Sequence, residues 1–451
     1  MNWRESAFLL AHDAMGSGLR GCYREFLAAE RWPVERFETL RRERLSALLQ
    51  HAVTAVPYYR ERVSRAELAS FPVLKKEDLH AHFAQFMEPS LHAEFYAEKK
   101  PRGYSWVEVT SGGTTGKPTT VIHDRDFRDW GRASRLYSQY LCGFPPGVRH
   151  WKLWGSMRDI NSARDSFPRR AMNWLLGVAP LNAFLMDEAR MRRYAAELDG
   201  REIRHLMAYV DAAYELARFV EGKGIAVRPL ESIMACAGAV TDDYRTTLTR
   251  VFGGRVHNKY GSRECSDMAC ECAHGGFHIF GTGVHLEVVD DAGQPAPAGV
   301  TGRILVTLLH NRRFPIIRYE IGDLGALSDG RCACGSPFPR LERVEGRISE
   351  RLTTADGAYL SPTYIRHLVG VVHGPGTVDR FQFVQHAARR YSLALQVAEP
   401  VDDAAFSALC GKLERDLRAV LGAEAELAIR RVERIAESAS GKFRYIVRED
   451  F

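Results

Sequence analysis

Apolar positions change their period several times along the chain, and each change marks an element. Over residues 1–100 they recur about every 3.6 positions, so this stretch reads as mostly helical. Residues 36–53 show it, with Phe37, Leu40, Leu45, Leu48 and Leu49 on one face. Apolar residues then flank a polar decapeptide: Trp106, Val107 and Val109 before it, Val121 and Ile122 after it. That pattern predicts strand, loop and strand across 105–123. Residues 126–141 return to helical spacing, with Phe127, Trp130, Leu136, Tyr137 and Tyr140 available to one face. Between 150 and 260, apolar runs at 150–154, 205–210 and 231–237 alternate with helical patterns at 187–198 and 212–222. Strands alternating with helices imply a parallel, doubly wound sheet.

The pattern changes again at 277–327. Residues 285–289 and 303–308 are strand-like, with a turn at Asp290-Asp291-Ala292-Gly293. This predicts a small β-subdomain over about 277–340. Beyond 350 the pattern is α+β: strands at 380–384 and 391–397, an amphipathic helix at 402–421, and a final strand at 424–432. A domain boundary falls at 346–350. The predicted fold class is α/β: a large N-terminal domain with doubly wound mixed sheets and a small β-subdomain, followed by a small α+β C-terminal domain.

The decapeptide is Thr110-Ser111-Gly112-Gly113-Thr114-Thr115-Gly116-Lys117-Pro118-Thr119. Glycines let a backbone turn tightly around an anion. Backbone N–H groups and hydroxyls can donate to phosphate oxygens, and Lys117 adds a positive charge. Pro118 after the lysine excludes a Walker P-loop, which continues Lys-Ser/Thr into a helix.

Composition narrows the picture further. With 451 residues the chain is long for one domain, and 45% apolar residues can fill a large core. A net charge of +6, from 62 basic and 56 acidic residues, does not call for nucleic acid. No apolar run approaches the ~18 residues of a membrane span, and the start of the chain is too polar for an export signal. Nine cysteines, clustered and odd in number, favour a reducing compartment with a metal site over a disulfide framework. A cytoplasmic location is expected.

Five further pieces follow the decapeptide's logic. The decapeptide resembles the phosphate loop of the adenylate-forming superfamily, which includes acyl-CoA synthetases, adenylation domains and luciferases. Residues 51–60 (His-Ala-Val-Thr-Ala-Val-Pro-Tyr-Tyr-Arg) resemble the N-terminal segment of its phenylacetate-CoA ligase-like subfamily. Tyr260-Gly261-Ser262-Arg263-Glu264 is similar to the Tyr-Gly-x-x-Glu motif, and Tyr319-Glu320-Ile321-Gly322-Asp323 to Tyr-x-x-Gly-Asp. Gly346-Arg347 resembles the start of the hinge motif, and Ser440-Gly441-Lys442 the C-terminal Gly-Lys. Relatives in this subfamily include coenzyme F390 synthetase and capsule-biosynthesis-associated ligases.

The resemblance implies an N-terminal adenylation domain at 1–346 and a mobile C-terminal lid at 347–451. It implies catalytic roles for Lys117, Glu264 and Lys442. Ser111, Gly112, Gly113, Thr114, Thr115 and Gly116 would hold the ATP phosphates. Tyr260, with Gly261 and Ser262, would pack along the adenine. Gly238 and Ala239, after the strand Ser232–Ala237, would line the acyl and adenine pockets. Asp323 would accept from the ribose hydroxyls. Arg347 would contact ribose or phosphate, although Ser349 departs from the hinge motif's usual acidic residue. Glu264 would bind Mg²⁺, a hard cation that takes carboxylate oxygen. On spacing alone Glu264 reads rather as a surface glutamate, and Asp323 could be a turn residue; their places in the two motifs argue otherwise. Trp151, Trp154 and Phe184 are aromatic candidates for pocket walls or for core.

Cys265, Cys270, Cys272, His274 and His278 lie close together, and Cys332-Ala333-Cys334-Gly335 follows. Two such clusters suit tetrahedral Zn²⁺. The resemblance selects Cys272, His278, Cys332 and Cys334 as a structural zinc site, with Cys270 and His274 as substitutes. The expected activity is ATP-dependent activation of a carboxylic acid, aryl or arylacetic favoured, to an acyl-adenylate. Transfer to coenzyme A would follow, with release of AMP and pyrophosphate. An alternative keeps the adenylation and changes the acceptor to a carrier protein, an amine, or a cofactor or saccharide hydroxyl. A third reading is a degenerate nucleotide-binding relative without activity. A monomer or a homodimer is compatible with either enzymatic reading.

Overall fold

The structure is a computed structural model that describes residues 2–98, 106–110, 119–155, 167–183, 185–238, 240–345, 352–357, 359–360, 364–365, 368–373, 377–397, 401–435 and 445–449. Three helices open the chain: α1 (Trp3–Ala14), α2 (Leu19–Ala29) and α3 (Val34–Ala55). Strands β1 (Trp106–Thr110) and β2 (Thr120–Asp124) pair antiparallel, and α4 (Arg125–Leu141) follows directly. Asp124 starts α4, because its carboxylate accepts the Phe127 N–H at 2.8 Å as an N-cap. The strand–helix alternation predicted for 150–260 is present. It runs β3 (His150–Trp154), β4 (Val178–Asn182), β5 (His205–Tyr209), α5 (Val210–Gly222), β6 (Ser232–Cys236), α6 (Asp242–Phe252) and β7 (Arg255–Ser262).

The chain then reverses into β8 (Ser266–Glu271), β9 (Phe277–Ile279), β10 (Val284–Val289), β11 (Gly302–Leu308), β12 (Tyr319–Ser328) and β13 (Arg340–Glu345). All these strands from β3 onward share one 11-stranded sheet, ordered β10-β11-β12-β13-β9-β8-β7-β6-β5-β3-β4. The strands from β7 to β4 run parallel, and every pairing from β8 to β10 is antiparallel. The strands of the 277–340 region are therefore hydrogen-bonded, through β8, to the parallel half.

Period-two alternation sends the parallel strands' side chains to two covered faces. Ile233 and Ala235 of β6 pack with Leu216 and Ala217 of α5. Met234 and Cys236 face the other way, toward Trp130 and Tyr137 of α4. Trp151, a sequence candidate for a pocket wall, is fully buried in the first of these cores.

The C-terminal residues have a core of their own. Strands β14 (Val378–Ala387), β15 (Arg390–Val397), β16 (Glu426–Arg431) and β17 (Ile446–Arg448) form a sheet ordered β16-β15-β14-β17. Helix α7 (Asp403–Leu421) buries Leu409, Leu413, Leu417 and Leu421 in that core, a spacing of four that keeps one face inward. The sequence pattern placed the last strand at 424–432, but Ile446–Arg448 forms a further one beside β14. Three residues are too few to show a period. A short hairpin, Leu352–Thr353 with Tyr359–Leu360, pairs with Leu185–Met186. Among the described residues no helix is long and apolar enough to cross a membrane.

Helices α2 and α4 join over an aromatic cluster. Phe26 is fully buried, with ring centroids 5.3 Å from Trp130, 5.1 Å from Tyr137 and 5.7 Å from Phe280. Phe26→Ala removes a ring that three elements share. Denaturant titration should show a loss of about 3–5 kcal/mol with little change in slope. A loss under ~1 kcal/mol would mean that the N-terminal helices do not fold as one unit with the sheet.

Candidate active site

The reversal between β7 and β8 places most of the described site. Tyr260 and Gly261 end the strand with a register shift, and Gly261 then lies against the returning backbone. A Cβ on Gly261 would come within 2.5 Å of the Ser266 carbonyl oxygen, so only glycine fits. Ser266 takes a positive φ of 61°, unusual outside glycine. Its hydroxyl is held at 2.8 Å by the Gly131 carbonyl of α4. Ser262 is used within the turn itself, where its hydroxyl accepts the Cys265 N–H at 3.0 Å.

Two motif residues far apart in sequence meet here. The Tyr260 hydroxyl donates to Asp323 Oδ2 at 3.0 Å. Asp323 reaches it from β12, where Gly322 adopts φ +90° beside a break in the β11–β12 ladder. Glu264 is buried, and its backbone carbonyl accepts from His123 Nε2 at 2.7 Å. Gly238 follows β6 through a strained turn with Ala237 at φ +62°. A Cβ on Gly238 would lie 2.6 Å from Val210 Cγ1. Trp154 packs against Tyr209 in a tilted arrangement, centroids 4.1 Å apart. Ser111, Gly112, Gly113, Thr114, Thr115, Gly116, Lys117, Phe184, Ala239, Arg347 and Lys442 lie outside the described residues. The residues flanking the glycine-rich segment are described: Thr110 and Thr120 face each other across the β1–β2 ladder.

Sequence reasoning missed the clamp on β2. Asn311 accepts the Asp124 N–H at 3.0 Å and donates to the carbonyls of Ile122 (2.8 Å) and Phe314 (2.7 Å). Asp124 Oδ2 accepts the Arg313 N–H at 3.0 Å. With the His123 bond, the strand leaving the phosphate loop is tied on one side to the Glu264 turn and on the other to 311–314. The Asp-x-x-Phe start of α4 was a readable signal for Asp124. Nothing in one sequence marks His123 or Asn311.

The cysteines divide into two kinds. Cys272, His278, Cys332 and Cys334 bring their ligand atoms within 4.8 Å of one another. Cys272 and Cys332 sulfurs are 3.6 Å apart, and Cys334 Sγ is 3.2 Å from His278 Nε2. Sulfurs on a tetrahedral zinc at ~2.3 Å would be about 3.8 Å apart, so the spacing fits such an ion. The Cys272 sulfur accepts the His274 N–H at 3.3 Å, and Gly275 (φ +82°) turns the chain. Burial pushes the Cys332 thiol up, but hydrogen bonds from the Cys334 backbone and neighbouring thiols outweigh it and leave its pKa lowered. Burial lowers His278 to about 4, so its ring is neutral and has a nitrogen lone pair to offer. The two substitutes are elsewhere. The buried Cys270 sulfur faces Cys142 at 3.7 Å, and His274 is exposed.

Residues 352–449 match the family described as the CapK C-terminal domain. The chain is 26% identical over 394 residues to a phenylacetate-coenzyme A ligase of Thermus thermophilus, covering 82% of this chain and 84% of that one. It is 25% identical over 351 residues to a phenylacetate-coenzyme A ligase of Pseudomonas putida, covering 72% and 74%. Over most of its length the chain resembles the phenylacetate-CoA ligases. By that likeness it is a ligase of the AMP-forming class. Its fold is shared with a 2-hydroxyisobutyryl-CoA ligase solved with 2-HIB-AMP and CoA: TM-score 0.59, 20% identity, 93% of this chain and 91% of that one.

The site carries a pH signature. Burial lowers both His123 and His150 to about 4. In the unfolded chain each takes a proton near pH 6.5. A depressed folded pKa means that stability is full above 6.5 and falls as pH drops toward 4. Each histidine should account for roughly 2–3 kcal/mol of that loss. His123→Gln, which keeps an N–H for the Glu264 carbonyl, should flatten the pH 7 to 4.5 limb by one such share. Urea titrations at stepped pH measure it, and an equally steep limb in the variant contradicts the assignment.

Proposed function

We propose that this chain activates a carboxylic acid with ATP, forming an acyl-adenylate and pyrophosphate, and then passes the acyl group to the thiol of coenzyme A with release of AMP. The observation that carries the reading is the bond between Tyr260 and Asp323, on the same turn as Glu264. Three motif positions drawn from over sixty residues of chain converge there, as a nucleotide pocket requires. Aryl and arylacetic acids are favoured, because the relatives bear that name and Trp154 and Tyr209 supply an aromatic wall.

In this reading Ser111 to Lys117 hold the ATP phosphates, Glu264 holds Mg²⁺, and Asp323 receives the ribose hydroxyls. Gly238 and Ala239 bound the acyl and adenine pockets. Arg347 contacts ribose or phosphate. Lys442 reaches the α-phosphate and carboxylate, where negative charge builds up. A domain boundary near 346 would let residues 347–451 act as the lid. A second reading changes only the acceptor. The match of residues 352–449 to the CapK C-terminal domain favours it, since the lid is the part that serves the second half-reaction. A carrier protein or a hydroxyl acceptor would then replace coenzyme A.

Pyrophosphate release with ATP and Mg²⁺ across aryl, arylacetic and fatty acids, with and without CoA, tests this. Release that needs one acid and rises with CoA is the expected outcome. Release that ignores CoA moves the assignment to the second reading, and silence with every acid overturns both.

The Cys272, His278, Cys332 and Cys334 set is assigned here to a structural Zn²⁺, with all four positions filled by protein. A Cβ on Gly276 would lie 2.4 Å from Cys332 Sγ and 2.9 Å from His278 Nε2. Protein purified without chelator should carry about one zinc per chain, and Gly276→Ala should lose most of it. Elemental analysis decides; zinc-free native protein ends the assignment.

A further inference from the structure

Beside Tyr260 lies a buried charge pair that the adenylation steps do not use. Lys259 Nζ lies 2.7 Å from Asp267 Oδ1, with 14% and 8% of the two side chains exposed. Ser138 of α4 donates to Asp267 Oδ2 at 3.1 Å. An ammonium offers three donors and a carboxylate about four lone pairs. Among the described residues, Asp267 is the one hydrogen-bond partner of the Lys259 ammonium. Among the described residues two of its N–H groups therefore meet no acceptor in a buried place, where unused donors are costly.

The pair's position points to a ligand. Tyr209 is paired with Cys236, and Ala235 with Asn258, so Tyr209, Cys236 and Lys259 stand at the carboxyl ends of three neighbouring parallel strands. Open α/β sheets bind their ligands outside those ends. The Cys236 thiol and the Tyr209 hydroxyl both lie within the field of the Lys259 charge. Trp154 lies against Tyr209 on the aromatic side.

We propose that Lys259 and Asp267 form the polar end of the acyl pocket, and that the acid activated here carries a hydroxyl group bound between them. This rests on the ligase reading above and names its substrate class. A hydroxyl oxygen accepts from Lys259 while its proton goes to Asp267, so both partners gain a bond. A second carboxylate fits worse. The pair is already neutral, and an added anion beside it would be repelled by Asp267. A bare hydrocarbon fits worst, since it leaves the ammonium donors without acceptors.

The test compares matched acids, such as phenylacetic and 4-hydroxyphenylacetic acid, and a fatty acid with its hydroxy counterpart. Pyrophosphate release gives kcat/KM for each. The native protein should prefer the hydroxylated member of at least one pair by about 100-fold or more, because a site built around a hydroxyl rejects the analogue lacking it. Lys259→Met should reduce that ratio by about 100-fold. Lys259→Met alone leaves Asp267 buried without its cation, so the Lys259→Met/Asp267→Asn double variant is made beside it. A purely structural pair would lower both acids alike and keep the ratio, and that result overturns the proposal. So does a native preference for the unsubstituted acid, or for a dicarboxylic acid. Silence with all acids instead overturns the ligase reading and this inference with it.

Discussion

The constraint on which the site depends is backbone crowding at the turn from β7 to β8. Gly261 has no room for a Cβ against Ser266 and Asp267, and Gly131 has none against the Ser266 hydroxyl. The chain must therefore reverse within a few residues, just where the sheet changes from parallel to antiparallel pairing. That reversal aims Tyr260 at Asp323, ties the Glu264 carbonyl to His123, and brings Asp267 back beside Lys259. It also fixes how β8 leads on to Cys270 and Cys272. A looser turn would separate these groups without disturbing either half of the sheet.

Long periodic segments were legible in the sequence. The strands at 150–154, 205–209 and 232–236, and the helix that buries Leu409 to Leu421, were all readable from spacing, because burial on one or two faces writes the period into the residues. Motif residues could be named, since Tyr-Gly-x-x-Glu and Tyr-x-x-Gly-Asp restrict backbone and chemistry together. The cysteine clusters were legible for a similar reason, since such residue types seldom cluster by chance, and the family resemblance selected the four that come together. Three things were not legible. Asn311 acts through backbone groups of residues almost two hundred positions away, and such bonds leave no local pattern. The strand Ile446–Arg448 is too short to show alternation. The pairing of Lys259 with Asp267 depends on a register shift at Tyr260, which no spacing rule gives.

The clamp on β2 fixes the strand that follows the glycine-rich segment in sequence. Loops with several glycines lose much entropy on ordering, so their ends must be fixed by something stiffer. Here the far end enters β2 between two anchors, His123 on the Glu264 turn and Asn311 with Asp124 on the 311–314 segment. His123 is suited to this because burial keeps it neutral, so it donates one hydrogen bond without adding charge beside an expected Mg²⁺ ligand. A lysine at that place would donate equally well but would compete with the cation for Glu264.

Buried charges and buried thiols in this chain follow one rule, that desolvation is tolerated where partners are supplied. Cys236 and Cys265 have no anion-stabilising partner that outweighs burial, and burial leaves the Cys236 thiol pushed up to about 12 and the Cys265 thiol raised further. They behave as small apolar residues. Within the Cys272, Cys332 and Cys334 cluster, amide and thiol donors pull Cys332 below its usual value, while burial raises its neighbours Cys272 and Cys334. Lys259 and Asp267 are partnered too, but incompletely: one ammonium bond to the carboxylate, and one hydroxyl bond from Ser138. Replacing such a pair by apolar residues of similar volume is often neutral or stabilising. A buried charged pair at the carboxyl ends of the parallel strands, with ammonium donors to spare among the described residues, is therefore better explained by what it binds than by what it stabilises.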